Sequence, residues 1–405
     1  MNNNATPDNN FSSGNPFPSG IQTPLGAAGG LLTGVGNGLS LDFPGRRIPR
    51  SQQVSLGIQR QLPDNILLDV RYTGNFTNRL RTTAYSGAQG NIWINGTWTK
   101  TQQLAAQNSP NLYNGSVVNP FYGVPSVPAS SQLGSSPTIA VVDLTVPYAQ
   151  FPGPLGDYDD PLGKSWYNAM ELQATKRLSH GVSFRAAYTY SKTMQATGYI
   201  NGWPYQDSSL LYQISPTDRT HVFTLTGEYN LPSLRADDGA KKVVGAVVNH
   251  WELSNVFTWQ TGFPVGLPGG FQYLSNHSYT PTGGPTDEEY LYNCNGAPLT
   301  CWVPFPNNYY LGYLPSRIGT LRQPSMPNLD VSIMRTFPIH ENINLQLRGD
   351  GFNVTNTVLF SGPDTNPYDG PPVKQSNGTY SGFGTVGPTQ QNFPRILQIS
   401  LKLRF

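Results

Sequence analysis

Charge is the scarcest ingredient of this 405-residue chain. Only 12% of residues are charged and the net charge is +2, against roughly 25% charged in an average soluble domain. No basic stripe runs along the sequence, which argues against a nucleic-acid partner. Long apolar runs are missing too. No stretch reaches the roughly 18 apolar residues of a membrane helix, which excludes helical spanning but not barrel strands, whose alternating character hides from hydropathy. The first residues, MNNNATPDNNFSSGNPFPSG, have neither the basic start nor the apolar run of an export signal. Either the protein stays in the cytosol or the true start lies upstream. There are only 2 cysteines. Cys294 and Cys301 sit close together in one loop-like segment, where a disulfide fits an oxidising compartment and two free thiols are the alternative. The one nearby histidine, His277, does not make a metal site with them.

What fills the gap is Gly (43), Pro (36) and Tyr (22), together with Asn, Ser and Thr, while hydrophobic residues reach only 37%. Few charges with many aromatics and turn formers suit an all-β protein with long polar loops. Period-two alternation marks about nine segments. Val54, Leu56 and Ile58 face away from Gln53, Ser55 and Gln59. Ile66, Leu68, Val70 and Tyr72 face away from Asp69, Arg71 and Thr73. The pattern recurs at Met170–Thr175, Val182–Ser191, Phe223–Leu231, Trp251–Gln260, Leu329–Ile333 and Ile343–Asp350. The last segment sets Leu397, Ile399, Leu401, Leu403 and Phe405 against Gln398, Ser400, Lys402 and Arg404. Pairing Leu62 with Ile66 brings Ile58 opposite Val70 and Leu56 opposite Tyr72. Pairing Leu178 with Val182 brings Ala174 opposite Ala186 and Leu172 opposite Tyr188. The apolar faces then coincide, and a one-residue slip would put Glu171 or Arg185 among them.

Connections alternate in length. Short ones fall at 63–65, 179–181, about 232–248 and 338–342; long ones at 75–164, 193–218, 262–326 and 355–393. Short turns at one rim and long loops at the other belong to a bacterial outer-membrane barrel; a compact soluble domain has no reason to sort them so. Three cations, Arg60, Lys176 and Arg335, intrude on the apolar face just before short turns, where a long stem lets the head reach water. Aromatics gather near both ends of that face. Tyr229, Trp251, Phe337 and Phe405 lie toward the short turns; Tyr72, Trp166, Tyr190, Phe223 and Trp259 lie toward the long loops. From Trp251 to Trp259 is roughly 19 Å of depth at about 45° tilt, near the apolar band of about 25 Å expected between aromatic girdles. The expected fold is thus a transmembrane antiparallel β-barrel with long extracellular loops, embedded in outer-membrane lipid.

Nine strands cannot close this way, because the first and last would run parallel, whereas bacterial barrels have even numbers of antiparallel strands. Residues 1–50 read as the tail of an extracellular loop, 51–405 as the C-terminal part of a larger barrel, and further strands are expected on the N-terminal side. The chain is expected to be a fragment or to carry a misassigned start.

At this point specific segments add up. IPRSQQVSLGIQRQLPDNILLDVRYTGN, SWYNAMELQATKRLSHGVSFRAAYTYSK, SPTDRTHVFTLTGEYNLP and HWELSNVFTWQTGFPV, followed by RIGTLRQPSMPNLDVSIMRTFPIHENINLQLRGDGFNVTNTVLF and a final QISLKLRF, resemble the late strands of Oar-like TonB-dependent receptors of the acidobacterial type. The likeness runs from about Asn15 to Phe405. It implies a barrel of about twenty-two strands with a plugged lumen, and a plug domain and TonB-contacting segment that this sequence does not contain. It implies TonB-energised ligand uptake across the outer membrane of a Gram-negative type bacterium by the full-length protein. It also implies that Leu397, Ile399, Leu401, Leu403 and terminal Phe405 form the signal read by the barrel-assembly machinery. A passive outer-membrane channel or surface-binding barrel without TonB coupling is the alternative, and a soluble lectin-like sandwich a third.

Other constellations carry less. Asp157, Asp159 and Asp160, and the run Asp287-Glu288-Glu289, lack calcium-loop spacing and read as solvated turns. Gly34-Val35-Gly36-Asn37-Gly38 lacks the strand and helix of a dinucleotide site. The inward charges Asp69, Arg71, Glu171, Arg185, Glu252, Arg348 and Asp350 suit a wet lumen or contact with a plug. Tyr290, Tyr292, Trp302, Tyr309 and Tyr310 belong to a loop that either captures ligand or packs on itself around Cys294 and Cys301. No spacing suggests a catalytic site, metal or cofactor, so no enzyme is expected.

Overall fold

The computed structural model describes residues 30–38, 40–42, 47–82, 100–145, 148–151, 156–158, 161–198, 210–232, 239, 245, 249–340, 343–387 and 389–405. Nine long strands dominate. They are β1 (Arg50–Leu62), β2 (Ile66–Leu80), β3 (Gly163–Ser179), β4 (Val182–Ala196), β5 (His221–Asn230), β6 (Trp251–Gln260), β7 (Asn328–His340), β8 (Ile343–Phe352) and β9 (Ile396–Arg404). Each pairs with its sequence neighbour, in one sheet ordered β1 to β9. Every ladder is antiparallel. Among the described residues β1 and β9 are not paired with each other, so the sheet is open at both edges.

Register carries one side-chain parity across the whole sheet. Leu56 lies opposite Tyr72 and Ile58 opposite Val70. Val70 faces Leu172, which faces Tyr188. Tyr188 faces Phe223, which faces Trp259. Farther along, Leu253 meets Ile333, and Leu347 meets Leu401. The alternating residues therefore merge into one apolar face nine strands wide, backed by one polar face.

The turn after β3 departs from expectation. Ser179, not Leu178, lies opposite Val182, and a bulge between Lys176 and Ser179 absorbs the extra residue. From Lys176 upward the pairing is the expected one, Ala174 with Ala186 and Leu172 with Tyr188. The bulge leaves a two-residue connection, His180-Gly181, with φ of 53° and 76°, the positive pair that tight hairpins need. A Cβ on Gly181 would sit 2.7 Å from the Asn230 carbonyl oxygen of the next strand, so the rim closes there only with glycine. The expected connection at 338–342 is shorter too, since β7 runs to His340 and β8 starts at Ile343.

The ten residues of β5 and of β6 span roughly 23 Å of depth when tilted at about 45°. The strands β2 to β4 have 15, 17 and 15 residues. Their surplus stands at the long-loop rim, so that corner of the sheet projects beyond an apolar layer of that thickness. The expected loop 75–164 correspondingly shrinks to residues 81–162.

Among the described residues no protein layer covers the apolar face. Leu56 and Ile58 are each 74% exposed and Ile399 is 82% exposed. The buried clusters lie in the long loops instead, which are more ordered than the sequence suggests. The first carries three short helices, α1 (Lys100–Asn108), α2 (Pro110–Asn114) and α3 (Val141–Leu144). Tyr309 of the third loop packs against Ala106 and Val142 of the first. Val35 packs with Val127, Leu133 and Ile139, so this part of the expected 1–50 loop joins the first loop's core. The rest of 1–50, apart from 30–38, 40–42 and 47–50, lies outside the described residues.

An arginine at mid-depth on the outward face, Leu225→Arg, should cost roughly 2–4 kcal/mol in a bilayer and abolish heat-modifiable gel mobility of the full-length protein. Thr226→Arg, one residue on and facing inward, should leave that mobility intact.

Candidate functional site

The polar face and the loop cap above it are the surfaces with chemistry to offer. Along the strands every carboxylate points to the polar face. Asp69, Glu171, Glu228, Glu252, Asp330 and Asp350 all share its parity. Arg71, Arg185 and Arg348 stand among them. The charges pair along single strands, Arg71 with Asp69 at 3.1 Å and Arg348 with Asp350 at 2.8 Å. Gln59 donates to Asp69 at 2.7 Å and Arg185 to Gln173 at 2.8 Å. The arginines are nearly half exposed (45% and 49%), so such pairs add little stability. They leave a hydrated wall of mixed sign.

The aromatics of the outward face form two groups. At the long-loop side the His221 ring lies 5.3 Å from Tyr190 and 6.2 Å from Trp259. The Tyr188 hydroxyl shares a 2.7 Å hydrogen bond with His221 Nδ1. Trp166 stands farther out, four residues beyond Met170, with its ring 5.1 Å from loop Tyr212. At the short-turn side the Arg335 guanidinium lies 4.2 Å from the Phe337 ring and 5.7 Å from that of Trp251. Tyr229 lies opposite Leu253, two outward positions turn-ward of Leu225 and next to the end of β5. Leu397, Ile399, Leu401 and Leu403 line the outward face of the edge strand β9, and Phe405 follows it, 95% exposed.

The loop aromatics divide between the two expectations, self-packing and an accessible surface. Trp302 and Tyr309 have 0% of their surface exposed and Tyr290 has 6%. Trp302 is enclosed by Tyr273, Tyr279 and Phe383, and its indole donates to the Tyr292 carbonyl. These three rings hold the cap together and are closed to a ligand. Burial, with Asp287 adding to it, pushes the Tyr290 phenol up to about 12, so it stays neutral in its core. Tyr292 and Tyr310 remain partly accessible. Tyr292 stacks with His277 at 4.6 Å and Tyr310 donates to Gln272. Cys294 and Cys301 are joined as a disulfide beside this core. The side chains of Asp157, Asp159 and Asp160 lie outside the described residues. No cluster of metal-ligating residues occurs among the described residues.

One buried charge was not foreseen. Asp218 has a fully buried side chain and pairs with Arg322 at 2.6 Å. Its other oxygen accepts from the Thr193 backbone of β4 at 2.5 Å. Arg322 also donates to the Asp218 and Gly262 carbonyls. Next to it Arg219 lies 3.8 Å over the Phe263 ring and donates to the Thr261 carbonyl, and its pKa falls because it is desolvated. This knot ties the second and third long loops to the sheet. Its signal in the sequence was faint. An Asp-Arg pair in a charge-poor loop hinted at a buried partner, but Arg322 lies 104 residues away.

The profile of a family described as the outer membrane beta barrel domain matches residues 1–398. No curated protein matches the chain. Among solved structures, the chain is similar to the outer membrane transporter YddB from Escherichia coli, at 9% identity and a TM-score of 0.39, over 92% of this chain and 35% of that one. It is also similar to the ferric-catecholate import receptor Fiu from E. coli K12, at 12% identity and a TM-score of 0.35, over 93% and 31%. The pyoverdine receptor FpvA from Pseudomonas aeruginosa PAO1, bound to pyoverdine, gives 11% and 0.34, over 88% and 30%. The chain spans about a third of the length of these structures.

Asp218→Ala should leave Arg322 without its buried partner, a loss of roughly 3–5 kcal/mol felt mainly by the cap. Limited proteolysis of the full-length protein should then cut within 197–220 and 261–327 faster than in wild type. Cleavage between the paired strands should not change.

Proposed function

Because this chain belongs to the outer membrane beta-barrel domain family, we propose that it forms the C-terminal part of an Oar-like TonB-dependent receptor. In this reading the longer protein takes up a ligand across the outer membrane, driven through the TonB system. The chain contributes wall, lumen lining and outer loops, and performs no catalysis.

The observation that carries the proposal is the open nine-stranded sheet with its uncovered apolar face. In hydrocarbon every backbone N–H and C=O must be paired, yet the outer edges of β1 and β9 are not. Nine antiparallel strands leave β1 and β9 pointing the same way, so closure with antiparallel neighbours takes an odd number of additional strands. A second copy in the same membrane orientation would again meet edge to edge in parallel. A barrel of about twenty-two strands meets the requirement with thirteen more. A lumen of that width needs a plug, and the mixed-sign wall of Asp69, Arg71, Glu171, Arg185, Glu252, Arg348 and Asp350 suits a hydrated contact with a folded domain. The loop cap, stiffened by its own aromatic cores and the Cys294–Cys301 bridge, supplies a preorganised mouth, with Tyr292 and Tyr310 as its accessible rings. The outward row Leu397, Ile399, Leu401, Leu403 and Phe405 on the exposed edge strand suits docking to the barrel-assembly machinery.

Planar-bilayer recording on the full-length protein separates energised uptake from a passive pore. A plugged receptor should show no steady conductance until denaturant loosens its plug. A stable ohmic conductance without denaturant would overturn the TonB-coupled reading in favour of an open channel.

A further inference from the structure

Charge on the nine strands is sorted by face. All six of their carboxylates, Asp69, Glu171, Glu228, Glu252, Asp330 and Asp350, point to the polar face. The outward face holds no carboxylate at all among the described residues. Its charged residues are Arg50, Arg60, Lys164, Lys176, Lys192 and Arg335. A long stem lets a cation reach water from an apolar face where a short carboxylate cannot, and an anionic neighbour would strengthen the same bias.

The two rims treat their cations differently. At the short turns two of the three are occupied by the protein itself, and Arg60 is exposed. Lys176 donates to the Asp64 carbonyl at 2.7 Å, and Arg335 is 5% exposed between aromatic rings. At the long-loop rim Arg50, Lys164 and Lys192 are exposed, and none has an ion-pair or hydrogen-bond partner among the described residues. They lie on one side of the sheet, on β1, β3 and β4. Arg50 and Lys164 flank Asn78 on adjacent strands, roughly 10 Å apart across two strand spacings. Lys192 stands opposite Asn168, on the strand next to Lys164. Below them runs the row Leu56, Tyr72, Met170, Tyr190 and His221. Tyr72 there reaches up to donate to Asn168 Oδ1 at 2.8 Å. Lys192 thus stands one outward position above this row and Arg50 and Lys164 stand three above it, each with a methylene stem long enough to rest on the sheet.

We propose that Arg50, Lys164 and Lys192 form an outward-facing site for the phosphate groups of lipid in the leaflet on the long-loop side. Arg50 and Lys164 side by side, with Lys192 roughly 14 Å from Lys164 by strand spacing, match a headgroup carrying more than one phosphate. Lys164 and Lys192 stand on the surplus length of β3 and β4, and Arg50 is level with Lys164 across β2. Trp166, between the two tiers of cations on β3, packs on Tyr212 and flanks the site with an aromatic wall. The site rests on the membrane reading of the sheet, and its test keeps the two apart.

The full-length protein in neutral detergent is titrated with lipid A carrying its phosphates, and bound lipid is counted by native mass spectrometry. Each charge removed by Arg50→Gln, Lys164→Gln or Lys192→Gln should weaken binding roughly fivefold, and the triple variant by on the order of 100-fold. Lys164→Arg with Lys192→Arg should bind like wild type, as should the inward control Arg185→Gln. Dephosphorylated lipid A should bind weakly and equally to wild type and triple variant. Phosphorylated lipid A binding the triple variant as tightly as wild type would overturn the site, as would indifference to the phosphates. Should the triple variant fail to assemble, the single variants still read the fivefold steps. Heat-modifiable mobility is followed on the same samples. Its absence in wild type would refute the barrel itself, whereas its presence with unchanged titrations would refute the lipid site alone.

Discussion

The structure depends on where an uncovered apolar sheet face goes. Nine strands in unbroken register set Leu, Ile, Val and aromatic side chains on one surface, and no helix, second sheet or loop among the described residues covers it. In water such a face would drive collapse or aggregation. In lipid it is at rest, and the burden shifts to the backbone, whose polar groups must all be paired. The two open edges of the nine strands leave that requirement unmet within this sheet. Every strand carboxylate sits on the other face.

Much of this was written in the sequence as a period of two. Leu56 with Tyr72, Ile58 with Val70 and Leu172 with Tyr188 follow from the rule that a one-residue slip would turn every side chain over, and the ladders agree. What escaped has identifiable physical reasons. The bulge after Lys176 changes the count by one without changing the parity of the strand above it, so alternation does not reveal it. The helices of the first long loop are short, 9, 5 and 4 residues, too brief for a 3.6-residue period to stand out. The loop cores join residues far apart, Ala106 and Val142 with Tyr309, or Trp302 with Phe383. The Asp218–Arg322 pair has the same long-range origin.

The loop cap changes how the candidate mouth is understood. Aromatic richness between 262 and 326 is open to ligand capture or to self-packing, and its largest rings are spent on the cap's own cores. Burying Trp302 and Tyr309 fixes the loops in place, and Asp218 with Arg322 anchors two of them to β4 and to each other. Recognition then falls to fewer groups on a stiffer frame, which lowers the ordering cost of binding. The polar wall beneath offers paired, hydrated charges instead of a deep, dry pocket, as befits a surface that touches another folded domain or water.

The central claim is that one face of this sheet touches hydrocarbon and the other water. Spin labels placed singly at positions 222 to 230 of β5, in the full-length protein reconstituted in lipid, test it most directly. Accessibility to oxygen should peak at 223, 225, 227 and 229, and accessibility to a water-soluble nickel chelate at 222, 224, 226, 228 and 230. A flat profile, or one in which both reagents rise together at the odd positions, would contradict the account.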